Sequence, residues 1–276
     1  MKRRVFHVEQ ASRLEAVLRK ELELDHEGAS ELVNRGAVYL DGKRAKDAST
    51  RVGPGNKVMV VLEEGGVAVT EAPPPAPTLV VLYEDDDVLA VDKPWGITAQ
   101  PTPGRVGDSL LDLASAYLKR EAGLVHRLDK ETSGITVFGK HHEATSALAA
   151  AFRDGRARKE YLAVTASGLP ASGVISLPLS KDPSRPGRWR ASELANGIDA
   201  ITQFQRLDDD KTRSLVALFP KTGRTHQLRA HLTGIGFPIV GDRLYGGPPG
   251  PRCLLHARRL VIDSLVLESP VPPELA

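Results

Sequence analysis

Between residues 123 and 134 the chain reads Gly-Leu-Val-His-Arg-Leu-Asp-Lys-Glu-Thr-Ser-Gly, a carboxylate set between cations and followed by two small hydroxyl residues and a glycine. Asp129, with Arg127 and Lys130 close by in sequence, can act as a nucleophile or as an anionic stabiliser. The same residue type also caps helices and closes Asx-turns, both frequent jobs for aspartate. His126, His226 and His256 are proton acceptors that could work with such a carboxylate in a hydrolase. The chain nevertheless has no Gly-x-Ser-x-Gly elbow and no His-Glu-x-x-His metal spacing. Tyr161, two residues after Lys159, has a ring that could stack on a substrate, although a lone tyrosine at a strand start is more often core. Arg224 and Arg229 lie in a run, 220–229, that could hold phosphate or pair with a carboxylate.

Positioning such groups takes a core, and 276 residues with 41% hydrophobic and 26% charged side chains can supply one large core or a catalytic core with a small satellite. Cys253 is the single cysteine, which excludes an intrachain disulfide and a cysteine-built zinc site. No apolar run approaches bilayer length, and the amino terminus lacks the apolar stretch of a signal peptide. A cytoplasmic protein with no membrane partner is the expectation. Two tryptophans and few other aromatics argue against a sheet that binds single strands by stacking alone. Net charge is only +2, but its distribution is uneven: from 211 to 259 nine lysines and arginines accompany one acid, Asp242. Such a unit suits a phosphate backbone, although charge runs are more commonly just solvated surface.

Ser12 and Glu15 fit a capping box, with Leu14, Val17, Leu18 and Leu22 following at helical spacing. A second helix is expected over 29–35, then strands over 37–40 and 57–62 with a tight turn at Asp41-Gly42. These elements make a small module over 1–63. Residues 64–78 form a Gly/Pro-rich linker without apolar period. In the unit 79–276, strands are expected over 79–83, 88–91, 161–165, 215–219 and 260–266, with helices over 109–120 and 143–152. Strands and helices mix without strict alternation, so the fold class is α+β with a mainly antiparallel mixed sheet.

The segment His126-Arg127-Leu128-Asp129-Lys130-Glu131-Thr132-Ser133-Gly134 resembles the HRLD-x-x-TSG signature of the RluA family of RNA pseudouridine synthases. Five further segments are similar to family motifs in the same order: 84–97 to the strand-turn-strand before NKP-x-G, 158–163 to K-x-Y-x-A, 220–229 to P-x-TGR-x-HQ-[LI]-R, and then 236–242 and 254–257. The likeness spans about 79–268. It implies an RNA uridine isomerase that needs no cofactor or metal. It also implies Asp129 as nucleophile, acting at base or ribose, Arg229 as its ion-pair partner, and Tyr161 as stacking residue and possible base. By the same resemblance Arg127 helps displace the flipped base, while His126 shapes the loop or is simply a structural histidine. Arg224 holds phosphate or braces its loop, and Leu255 walls the uracil pocket or packs in the core. Residues 12–58 are similar to the small RNA-binding domain named after a ribosomal small-subunit protein. That implies RNA contacts from Arg13, Lys20, Arg35, Lys43, Arg44 and Lys46, with Lys159 adding one in the catalytic unit.

Some residues depart from the family pattern. Asp92 replaces the asparagine usual before Lys-Pro, Ala99-Gln100-Pro101 lacks a histidine common in relatives, and 197–202 lacks a lysine. The departures bear on substrate choice, for which large-subunit ribosomal RNA is the first expectation and transfer RNA the second. A monomer is the expected state. The rival readings are a non-catalytic RNA-binding or assembly factor of the same architecture, and the hydrolase considered above.

Overall fold

A computed structural model describes residues 2–34, 36–45, 47–62, 78–101, 109–191 and 197–275. Contacts divide the chain into two packed units, 1–77 with 101–109 and 78–100 with 110–276. In the first, β1 (Lys2–His7), β2 (Ser12–Arg13), α1 (Leu14–Leu22), α2 (His26–Asn34), β3 (Val38–Leu40), β4 (Lys43–Arg44), β5 (Arg51–Val52) and β6 (Lys57–Leu62) follow in order. A four-stranded antiparallel sheet runs β1-β6-β3-β4, and β2 pairs with β5. Asp41 and Gly42 both take positive φ, 48° and 78°, which gives the twist that a two-residue hairpin turn requires. Leu14, Leu18, Ala29, Leu32, Val33, Val58 and Val60 bury one side of each helix against the sheet.

The capping box is absent. Ser12 is taken up by β2, the helix N-cap is Arg13 with no side-chain bond, and Glu15 instead pairs with His26 and, at 3.9 Å, with Arg19. Pairing of β2 with β5 fixes the helix start that the side-chain cap was expected to set.

The second unit contains β7 (Val80–Glu84), β8 (Val88–Lys93), α3 (Leu110–Leu118), β9 (Gly123–Leu124), β10 (Ser133–Gly139), α4 (His142–Arg153) and β11 (Ala157–Ala166). There follow β12 (Ser172–Ile175), β13 (Leu179–Lys181), β14 (Trp189–Ala191), β15 (Thr202–Asp209), β16 (Arg213–Pro220), α5 (Gln227–Gly234), β17 (Leu255–Ile262) and β18 (Leu265–Glu268). Its main sheet runs β12-β15-β16-β11-β17-β10-β8-β7, with β18 added to β17 and β9 to β10. Among the described residues every strand pairing in it is antiparallel except β10 with β17. The class is α+β, with a mixed, mainly antiparallel sheet. The strand expected over 260–266 is two strands, broken at Asp263, which turns through a positive φ of 51°.

Side chains alternate across this sheet as the strand period demands. Val88 and Ala90 of β8 meet Leu148 and Ala151 of α4, whereas Leu89 and Val91 meet Leu110 and Ala114 of α3. All seven residues of β10 are buried. On the other half of the sheet, Leu162, Val164, Val216 and Leu218 pack with Leu228 and Leu232 of α5. That packing fixes the strand holding Tyr161 and the helix holding Arg229 on one frame.

Candidate active site

Asp129 stands on the loop between β9 and β10, just before the sheet takes hold at Ser133. A turn closes behind it, with Thr132 N–H bonded to the Asp129 carbonyl at 3.0 Å. Gly134 follows at φ 110°, where an added Cβ would lie 2.2 Å from the Ala257 carbonyl oxygen, so only glycine lets β10 and β17 pair here. Ser133 Oγ lies 3.0 Å from His256 Nδ1 and accepts a bond from Arg252 Nη1 at 3.3 Å. Arg252 is tied in turn to Glu274 at 3.0 Å.

The end of β8 holds the same loop from the other side. Lys93 is fully buried, and its ammonium donates to the carbonyls of Ile97 (2.8 Å), Pro94 (3.0 Å) and Lys130 (3.4 Å). Burial pulls its pKa down to about 8, against the opposing attraction of Asp129, Glu131 and Asp92. Gly96 N–H bonds the Lys130 carbonyl at 2.9 Å, and the Trp95 indole N–H bonds Glu131 Oε2 at 2.9 Å.

Arg229 comes from the first turn of α5 and is almost fully buried. Its nearest partner is Asp242, bonded through Nε at 2.6 Å and Nη2 at 2.7 Å, while Nη1 lies 3.7 Å from Asp129 Oδ2. The expected pair with Asp129 is therefore the looser arm of a three-member array. Burial opposes the guanidinium charge, but the bonds and attraction from Asp242 more than offset this and raise its pKa further. The guanidinium also sits over the Tyr245 ring, 5.0 Å from its centroid, a cation–π placement. His226, the residue before α5, has its Nε2 4.0 Å from the same Asp129 oxygen. Burial keeps the His226 pKa below its ordinary value.

Tyr161 arrives from β11 exactly where pairing with β17 slips: Glu160 faces Arg259, but Tyr161 faces Ala257. The irregularity re-aims the strand beside the site, a common use of a bulge. Burial, and then the Asp129 charge, raise the phenol pKa, so Tyr161 is protonated at neutral pH.

Other expected site residues divide clearly. Arg127 is exposed, and Lys159 is half-buried with its pKa lowered by burial. Arg224 donates to the Asp199 carbonyl at 3.2 Å. His126 turns inward: its Nε2 accepts the Val137 N–H at 3.0 Å, its ring stacks on Phe152 at 4.5 Å, and burial followed by the nearby Lys159 charge takes its pKa to about 3. These contacts tie the ring to β10 and α4. Leu255 is a core residue, 3% exposed. In the first unit Arg13 and Lys20 are exposed, Lys43 and Arg44 form β4, and Arg35 and Lys46 lie outside the described residues.

Sequence reasoning missed Lys93, Asp242 and Tyr245 as members of this array. Asp242 had one visible signal, as the sole acid among nine cations.

A family description of RNA pseudouridylate synthases matches residues 87–233, and the S4 domain matches 13–58. The chain belongs to the RNA pseudouridine synthases. The synthase is 39% identical over 202 residues to the dual-specificity RNA pseudouridine synthase RluA of Escherichia coli, covering 69% of this chain and 89% of that protein. It is 36% identical over 227 residues to the ribosomal large subunit pseudouridine synthase D of Xanthomonas campestris, covering 79% of this chain and 66% of that protein. Among solved structures, human RNA pseudouridylate synthase domain containing 4 is 28% identical with a TM-score of 0.60, over 70% of this chain and 89% of that one. Human domain containing 1 is 27% identical with a TM-score of 0.61, over 72% and 85% respectively.

Proposed function

We propose that this synthase isomerises selected uridines in structured RNA, with large-subunit ribosomal RNA as the first target and transfer RNA as the second. The observation that carries this reading is the approach of Arg229 Nη1 to within 3.7 Å of Asp129 Oδ2, with Asp129 only 26% exposed and its charge acting on the Tyr161 phenol. Similarity to one relative named for the large ribosomal subunit and another named as dual-specificity supports the choice of targets.

The reaction breaks the bond between uracil N1 and ribose C1′ and joins C1′ to C5. N1 gains a proton and C5 loses one, so atoms balance without redox change. Asp129 acts as the nucleophile, at base or ribose. Taking a carboxylate out of water favours its acid, and a facing guanidinium opposes that; Arg229, itself locked by Asp242, is suited to the task. Tyr161 offers a face for the detached uracil. The target must leave its stack to reach this depth, and exposed Arg127 is placed to take its room. Arg13, Lys20, Lys43, Arg44 and Lys159 serve as phosphate contacts. The same reading puts the enzyme in the cytoplasm as a monomer, which gel filtration would check.

The test is Asp129→Asn with RNA carrying tritium at uridine C5. Tritium release should vanish while folding and salt-dependent RNA affinity persist. Release at the wild-type rate would refute the role of Asp129. Strand cleavage or free uracil would instead favour a hydrolase.

A further inference from the structure

Trp95 is 45% exposed, yet it is not loose. Its indole N–H is bonded to Glu131 Oε2 at 2.9 Å, and the adjoining Gly96 N–H bonds the Lys130 carbonyl at 2.9 Å. Beneath them the buried Lys93 ammonium joins Pro94, Ile97 and Lys130. Single exposed apolar residues are ordinary on protein surfaces and need no explanation. Here a large flat ring is fixed by three segments of polar bonding against the catalytic loop. Glu131 is two residues from Asp129, no more than about 7 Å between Cα atoms. Arg127 and Lys130 of that loop are exposed cations.

We propose that Trp95 is a stacking platform for an unpaired nucleobase next to the target uridine, with Arg127 and Lys130 reaching the neighbouring phosphates. This rests on the function proposed above and deepens it: stacking tolerates any base but demands one free of its own stack, so the platform selects loops and bulges over continuous helix. The tether matters because an edge-fixed ring loses little freedom on binding.

The test uses large-subunit ribosomal RNA and transfer RNA transcribed in vitro with tritiated uridine. Trp95→Ala should raise KM about five-fold or more, with kcat within about two-fold. Trp95→Phe, which keeps a ring but loses the tether, should fall between Ala and wild type. RNA should quench indole fluorescence in wild type and in Trp189→Phe, but not in Trp95→Phe. Wild-type KM in Trp95→Ala, or Phe no better than Ala, would overturn the platform. If wild type releases no tritium from either RNA the function fails, while quenching is still read from binding alone.

A different observation concerns His226. Its backbone is left-handed at φ 54°, unusual for a residue with a side chain, and its ring meets Tyr245 edge-on. Tyr245 Oη accepts the Trp189 N–H at 3.1 Å and lies 3.2 Å from His226 Nδ1. With the Trp189 N–H already given to that oxygen, we assign the hydroxyl proton to Nδ1, an assignment that puts the imidazole proton on Nε2, facing Asp129 Oδ2 at 4.0 Å. Arg229 Nη1 addresses that same oxygen. We infer that His226 is a positioning residue that joins Arg229 in holding Oδ2, leaving Oδ1 as the oxygen that reacts.

Glutamine can place an amide nitrogen near the Nε2 position, whereas asparagine places one near Nδ1 and is at ease in left-handed backbone. His226→Ala and His226→Asn should lower kcat about ten-fold or more with KM for RNA little changed, and His226→Gln should recover most of the loss. Asparagine as active as wild type, or glutamine no better than alanine, would overturn the inference.

Discussion

Replacing Asp242 with asparagine keeps its shape and removes one negative charge from a place where charge is expensive to unbalance. The Arg229 and Asp242 side chains are 4% and 0% exposed, and two bonds of 2.6 and 2.7 Å join them. Breaking a buried pair from one side generally costs about 3–5 kcal/mol. With its oxygen at the Oδ1 position asparagine still accepts from Arg229 Nη2 and from the Tyr245 N–H, now 3.2 Å away. Its NH2 then faces the Nε–H that Oδ2 now accepts, so a loss of about 3–5 kcal/mol is expected. Asp129 can return only part of this, because it is 26% exposed and 3.7 Å away. The assay is urea unfolding of the unit containing residues 110–276, followed alongside turnover. A double-mutant cycle sharpens it. In the Asp242→Asn background Asp129 is the remaining counterion of Arg229, so Asp129→Asn should cost more stability there than in wild type. A loss under about 1 kcal/mol for Asp242→Asn, or equal increments in the cycle, would refute the view that Asp242 is the principal partner.

Lys93 should give a pH signature. Its folded pKa of about 8 lies below the ordinary 10.5, so between those values the unfolded chain binds more protons and stability rises with pH. The gain relative to Lys93→Met should be on the order of 3 kcal/mol across that window, and parallel curves for the two proteins would contradict it. Gly134→Ala forces a Cβ against the Ala257 carbonyl at an unfavourable φ; it should destabilise by well over about 1 kcal/mol and abolish turnover, as thermal unfolding and tritium release would show. Tyr161→Phe keeps the stacking ring and removes the hydroxyl. KM should hold while kcat falls about 100-fold or more, and wild-type rates should show no inflection from this phenol up to pH 9, since burial and the Asp129 charge keep it protonated.

Asp129, Tyr161 and Arg229 could each be singled out from residue order, because each sits in a recognisable local pattern. Their convergence could not. Tyr161 is aimed by a slip in pairing with β17, which depends on residues almost one hundred positions away. Helices α3 and α4 were foreseen from their apolar period, but α5 was not: Gln227 through Leu232 are all buried, so no polar face marks its turns. Strand β10 was equally silent, since a strand buried on both faces shows no alternation. Ser12 and Glu15 misled because a two-residue strand pairing claimed the position that a cap would occupy. The inward turn of His126 likewise depended on Phe152 and Val137, partners no local pattern supplies.

The parallel join of Ser133 and Gly134 to His256 and Ala257 has a consequence for synthesis. A nascent chain grows from its amino end, and units tend to fold as they emerge. The sheet of the first unit closes within residues 2–62. The end of β10 that follows Asp129 must instead wait for its partner on one flank until residue 257 has been added. The first unit can therefore complete its sheet early in translation, whereas the frame around Asp129 is finished only with the late strand.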